Sequence, residues 1–157
     1  MSTEVASPEL ATLYEISRVV NSTLDLDDIL QEVTRITQER MAVDACCIYL
    51  IENRLLVLRA TSGPESDPGE RATLRLGEGL AGWAAEHGQP VAATRAREDP
   101  RSRPPAPTES GRDYVSMLAV PLVSRGTTIG VITVQTKAER RFSDVAIQQL
   151  SGIACQI

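Results

Sequence analysis

The stretch from Val115 to Gln135, VSMLAVPLVSRGTTIGVITVQ, constrains the fold more than any other part of this chain. It holds two apolar, β-rich runs, Val115–Val123 and Thr128–Val134, joined by Ser124-Arg125-Gly126-Thr127. The first run is apolar almost throughout, which suits a strand covered on both faces. The second is β-branched at most positions, which favours a pleated surface over a helix. Gly takes positive φ at little cost, so Arg125-Gly126 predicts a tight hairpin turn. So apolar a hairpin is expected mid-sheet, because an exposed edge of that kind would recruit other chains. Pro121 has no N–H to give and is expected at a bulge or facing an unpaired position.

The remaining segments supply what surrounds this hairpin. Ser7-Pro8-Glu9 is a helix start, followed by Leu10, Leu13, Ile16 and Val20 at near-helical spacing. Asp25 is placed to cap a second helix that carries Leu26, Ile29, Leu30, Val33, Ile36 and Thr37 on one face. Ala45–Ile51 reads as a buried strand, and Glu52-Asn53-Arg54 turns it back into Leu55–Ala60. Ala72–Leu76 is a short third strand. Leu80, Trp83, Ala84 and His87 predict a short helix stopped by Gly88, and Gln89–Ala93 a short strand. Thr94–Asp113 is rich in proline and arginine and poor in apolar residues, so it is expected to be a mobile flap. Ser143 caps a last helix with Ala146, Leu150, Ile153 and Ile157 on one face. Strands joined mostly by turns predict an antiparallel sheet, and helices at both chain ends predict an α+β layered fold.

Composition narrows the function classes. With 157 residues the chain is read as one domain, 1–157, with 1–7 disordered and 94–113 as the flap. A net charge of −5 leaves no basic footprint for nucleic acid. No apolar run approaches the roughly 20 residues of a membrane span, and the N-terminus lacks a signal-peptide layout. Cys46, Cys47 and Cys155 have no metal-ligand spacing and are read as reduced thiols, which places the chain in the cytoplasm. No metal or cofactor is expected. The helical pattern runs up to Ile157, so the chain is read as a piece of a longer protein.

NSTLDLDDIL, LGEGLAGWAAEHGQPV, SMLAVPLVSRGTTIGVITVQ and RRFSDVAIQQLSGIA occur in an order and spacing that resemble a GAF domain, a sensor module of bacterial signalling proteins. The resemblance covers about residues 10–157. It implies a GAF-like six-stranded antiparallel sheet, with the terminal helices on one face and the short helix plus flap roofing a pocket on the other. It implies an output domain linked after the chain, such as that of a histidine kinase. DPRSRPPAPTESGRDYVSMLAVPL and VITVQTKAERRF are also similar to the sensory domain of the nitrogen-type phosphotransferase enzyme I. Cyclic-nucleotide relatives carry Asn-Lys, Phe and Asp-Glu where this chain has Thr136-Lys137, Phe142 and Ala146-Ile147, so only Lys137 and Phe142 match. Bilin-binding relatives use a cysteine beside a histidine, and none of the three cysteines lies in the flap or next to His87.

These readings converge on a regulatory module that senses an unknown small molecule and relays occupancy through its terminal helices, as a homodimer. The competing reading is a ligand-free dimerisation and relay module. Candidate ligand-binding residues are Trp83, Tyr114, His87, Met117, Ala119 and Tyr49. Gly77-Glu78-Gly79 lacks the Lys and Ser/Thr of a P-loop and reads as a turn. No nucleophile–base–acid set, paired carboxylates or metal cluster is legible, so catalytic residues are not expected and the chain is read as no enzyme. Methionine-sulfoxide reductases built on the same fold use loop cysteines, which this chain lacks.

Overall fold

A computed structural model describes residues 26–62, 73–102 and 114–156. The first helix, α1, spans 26–41. Then come β1 (Ala45–Glu52), β2 (Leu55–Thr61), β3 (Thr73–Arg75), α2 (Gly79–His87) and β4 (Val91–Ala93). Two single 3-10 turns, Ala96–Glu98 and Pro100–Ser102, lead towards β5 (Ser116–Ser124), β6 (Thr127–Thr136) and α3 (Asp144–Ala154). The expected helix after Ser7, the cap at Asp25, the 103–113 part of the flap and Ile157 lie outside the described residues.

The six strands form one sheet in the order β3-β2-β1-β6-β5-β4, and every neighbouring pair is antiparallel. The apolar hairpin is internal, as its composition requires. Both long hairpins close through two residues of positive φ, Asn53 and Arg54 in one and Arg125 and Gly126 in the other. Such turns match the right-handed twist of the strands they join. Pro121 lies beyond the last β4 pair at Ala119, where β5 has a strand partner on one side only. The register also shifts nearby, between Leu122 and Val123.

Each sheet face carries its own apolar cluster. On one face Cys46, Ile48, Leu118, Val120, Ile132 and Val134 meet Leu30 and Met41 of α1 and Ala146, Leu150 and Ala154 of α3. On the other, Cys47, Tyr49, Met117, Ala119 and Val131 meet Leu80, Ala81, Ala84 and Ala85 of α2. The alternation of β1 thus sends its two adjacent cysteines to opposite faces. Ser143 caps α3 by accepting the Ala146 N–H at 3.2 Å.

The face of α1 differs from expectation. Leu30, Thr34, Thr37 and Met41 are buried, whereas Leu26, Ile29 and Ile36 are exposed. The helix therefore turns an unusually polar side to the sheet. Polar links hold it there: Arg59 reaches Asp27 at 2.8 Å, and Gln31 Nε2 donates to Thr61 O at 2.6 Å.

Candidate functional site

The face under α2 is the candidate site. Helix α2 leaves β3 through Gly77-Glu78, and the Glu78 carboxylate accepts the Arg75 N–H at 2.9 Å, so this glycine pair serves as a turn. The helix ends at Gly88, in the left-handed conformation, whose N–H donates to Ala84 O. A Cβ built on Gly88 would lie 3.5 Å from Thr128 Oγ1, which places the end of α2 near the start of β6.

Trp83 is half-buried against the α2-side cluster. The His87 ring stacks on it, with centroids 4.1 Å apart and planes 17° apart. His87 Nδ1 also donates to Trp83 O at 2.9 Å. The Arg101 guanidinium lies over the tryptophan, 5.6 Å from its centroid. Arg101 is aimed by Asp99, which accepts from Nε at 2.9 Å and Nη2 at 2.7 Å. Those bonds hold the Asp99 carboxyl below its ordinary range, because they stabilise the charged form more than burial penalises it. A cation–π contact and a charge-assisted fork thus fasten the 96–102 stretch to α2.

Of the expected ligand residues, the fold gathers Tyr49, Met117 and Ala119 with Trp83 in one cluster. Tyr114 is buried just before β5 and lies outside that cluster, and His87 is exposed at the end of α2. Two arginines of the expected flap have partners: Arg95 Nε donates to Glu139 at 2.9 Å and Arg101 pairs with Asp99. Burial pushes the Cys46 thiol well above its ordinary value, and the neighbouring Cys47 adds to this. Cys46 is on the helix face, however, and Cys47 is the thiol on the candidate-site face, with Sγ 3.3 Å from Thr61 Oγ1.

Sequence reasoning missed a polar row on this face. Thr61 pairs with Cys47, Cys47 with Thr133, and Thr133 with Ala119, so all four side chains share one side of the sheet. Gln135 stands one pleat further, opposite Met117. The signal was present as Thr133 and Gln135 at alternate positions of an otherwise apolar strand. Reading that strand only for β-propensity concealed it.

A second missed feature lies at the flap root. Ser116 Oγ donates to Thr94 O and accepts the Arg140 N–H at 2.8 Å. Arg140 Nη1 in turn donates to Met41 O at 3.0 Å and Ala42 O at 3.2 Å, at the end of α1. The Asp44 carboxylate accepts the Lys137 N–H at 2.7 Å, which ties the same two junctions again.

A sheet order with helices at both chain ends on one face and a short helix on the other matches a known architecture, and a family model described as GAF domain matches residues 23–157. This chain belongs to that family. The GAF domain is 28% identical over 137 residues to the Nif-specific regulatory protein of Azospirillum lipoferum, covering 85% of this chain and 22% of that protein. The chain thus spans about a fifth of that relative's length. The GAF domain of an Acinetobacter phosphoenolpyruvate-protein phosphotransferase is 31% identical, with a TM-score of 0.72 and coverage of 97% of this chain and 91% of that one.

A third likeness corrects the expectation that the chain is no enzyme. Free methionine-R-sulfoxide reductase from Neisseria meningitidis, solved with its substrate, superposes with a TM-score of 0.71 at 24% identity, covering 96% of this chain and 88% of that one. The fold is one that supports catalysis, so a non-catalytic role does not follow from it. The expectation rested on motifs legible along the chain. A sheet places side chains on one face irrespective of such spacing, as it does with Cys47 and Thr61.

Proposed function

We propose that this GAF domain is a regulatory module that binds a small molecule between the sheet and the Gly79–Asp113 segment, and relays occupancy to the terminal helices. The carrying observation is the chain of hydrogen bonds from Thr94 O through Ser116 Oγ to Arg140, and from Arg140 to the last carbonyls of α1. One end of that chain is the flap root, and the other is the junction of α1 and of the linker into α3. A ligand that orders the flap biases a contact both helices share. Trp83, Tyr49, Met117 and Ala119 supply its apolar wall, with Tyr114 and His87 at the margins.

The unit is taken to be the whole of 1–157, acting in the cytoplasm as a homodimer and joined to an output domain. Cytoplasmic placement is supported by its thiols, and no helix among the described residues is long and apolar enough to cross a membrane. Dimerisation is supported by the outward side of α1, where Leu26, Ile29 and Ile36 are exposed, Ile29 to 51%. Val145 of α3 is 72% exposed. The relatives' names point to a Nif-specific regulatory protein or a phosphoenolpyruvate-protein phosphotransferase as the kind of protein served.

Native mass spectrometry of freshly purified protein tests the sensing reading. A retained small molecule that is lost in Trp83→Ala is expected. A bare mass for wild type, together with flap hydrogen exchange that no cell extract alters, would favour the ligand-free relay module. Light scattering that shows a strict monomer at high concentration, in a chain extended past Ile157, would remove the dimer.

A further inference from the structure

Helix α1 is packed against the preference of its own residues. Thr34 and Thr37 are buried against the sheet, 0% and 1% exposed, while Leu26, Ile29 and Ile36 face outward. Thr34 Oγ1 falls back on its own helix and donates to Gln31 O at 2.6 Å. Thr37 Oγ1 is buried with no hydrogen-bond partner among the described residues, so it has given up its hydration without a replacement bond. A helix advances by about 100° per residue, which sets Leu30, Thr34, Thr37 and Met41 in one row and Ile29 and Ile36 in another, roughly a quarter-turn away. Leu26 and Val33 lie between the two rows, and Val33 is partly buried against the sheet. The exposed row is thus fully apolar, and the buried row is half threonine. By contrast, α3 meets the sheet through Ala146, Leu150 and Ala154.

Three polar pins keep α1 in this position. Arg59 Nη2 donates to Asp27 Oδ1 at 2.8 Å. The Gln31 amide meets the backbone of Thr61 with both ends, donating to its O at 2.6 Å and accepting its N–H at 3.3 Å. Arg140 Nη1 donates to Met41 O at 3.0 Å, at the end of the helix. Water can take over each of these bonds at a small net change, so pins of this kind open more readily than an apolar seam. We propose that α1 is a two-position helix. The pins hold it as seen, and when they open it turns about its axis by roughly a quarter-turn, burying Ile29 and Ile36 in place of Thr34 and Thr37. The turned position returns the orphaned Thr37 hydroxyl to water and covers the isoleucines. The joint is Ala42, which is left-handed at φ 54° without being a glycine. Just beyond it the Asp44 N–H is anchored to Gln135 O at 2.9 Å, so the twist stops before β1. The Arg140 N–H is held by Ser116 at the flap root. What opens that pin rests on the sensing reading above; the two positions themselves do not.

The test is iodoacetamide labelling of the full chain carrying Cys155→Ser and one reporter thiol, Ile29→Cys or Thr34→Cys. Low protein concentration keeps a second copy off the exposed row. In the pinned chain the Ile29→Cys thiol should label fast and the Thr34→Cys thiol slowly. Adding Arg59→Met with Gln31→Leu should speed Thr34→Cys labelling about tenfold or more and slow Ile29→Cys labelling in step. Ile36→Gln changes an exposed side chain and leaves the pins in place. It should slow Thr34→Cys labelling about tenfold, because the turned position must bury that side chain. This arm decides alone where the doubly unpinned chain does not fold. Two fast thiols after unpinning would mean that α1 merely detaches, and an unchanged pattern that it is fixed. Thr34→Cys labelling that Ile36→Gln leaves alone or speeds would mean local unfolding. Each of these three results overturns the proposal. The two readings fail separately. A small molecule retained in native mass spectra of a chain whose thiols show none of these changes ends the two positions and leaves sensing intact. A bare mass with the expected labelling does the reverse.

Discussion

Ser116 and Arg140 are joined through one hydroxyl, which accepts the Arg140 N–H at 2.8 Å while donating to Thr94 O. Ser116 is fully buried, so water cannot replace either bond. Ser116→Ala should cost about 1–3 kcal/mol, because it strands a donor and an acceptor together. Urea unfolding measures the loss. Hydrogen exchange should show the Arg140 amide opening faster than in wild type, and an unchanged Arg140 amide would mean that the bond does not hold the linker.

Three glycine-to-alanine changes should differ in sign. A Cβ on Gly130 would lie 2.2 Å from the Tyr49 carbonyl oxygen, so β1 and β6 must part. A loss of about 1–3 kcal/mol or more is expected. Gly126 faces open space but has φ +80°, which costs an alanine about 1–2 kcal/mol. Gly152 is helical with nothing within 4 Å, and its replacement should stabilise by up to about 1 kcal/mol. Thermal unfolding of the three variants checks the order.

Acid should loosen the contact between Arg101 and Trp83. The Asp99 carboxyl is held below its ordinary value first by its hydrogen bonds from Arg101. A carboxyl with a depressed folded value stabilises the fold above its unfolded pKa, and that contribution is lost as pH falls through the folded value. Trp83 is the sole tryptophan, so its fluorescence reports the release directly. The acid transition should vanish in Asp99→Asn.

The three thiols should differ in reactivity. Cys155 is exposed, while Cys46 is buried and its thiolate is disfavoured by that burial. Iodoacetamide at neutral pH should label Cys155 first and reach Cys46 only on unfolding. Peptide mapping that finds Cys46 labelled as fast as Cys155 in folded protein would contradict the packing around β1.

Much of the architecture was written along the chain itself. Alternating and continuous apolar runs, Asn53-Arg54, Arg125-Gly126 and Gly88 mark strands, turns and a helix end through local sterics, and local sterics act before any tertiary contact forms. The opposite facing of Cys46 and Cys47 follows from the pleat alone. The side of α1 that would be buried was not legible, since Leu26, Ile29 and Ile36 are as apolar as Leu30. Burial there was decided by polar links from Arg59 and Gln31, residues 32 and 30 positions from their partners. The shared facing of Thr133 and Gln135 and the bridge at Ser116 were likewise decided by register, because a one-residue slip would turn each of those side chains to the other face. What a sheet gathers on one face depends on which strands become neighbours, and only the folded chain settles that.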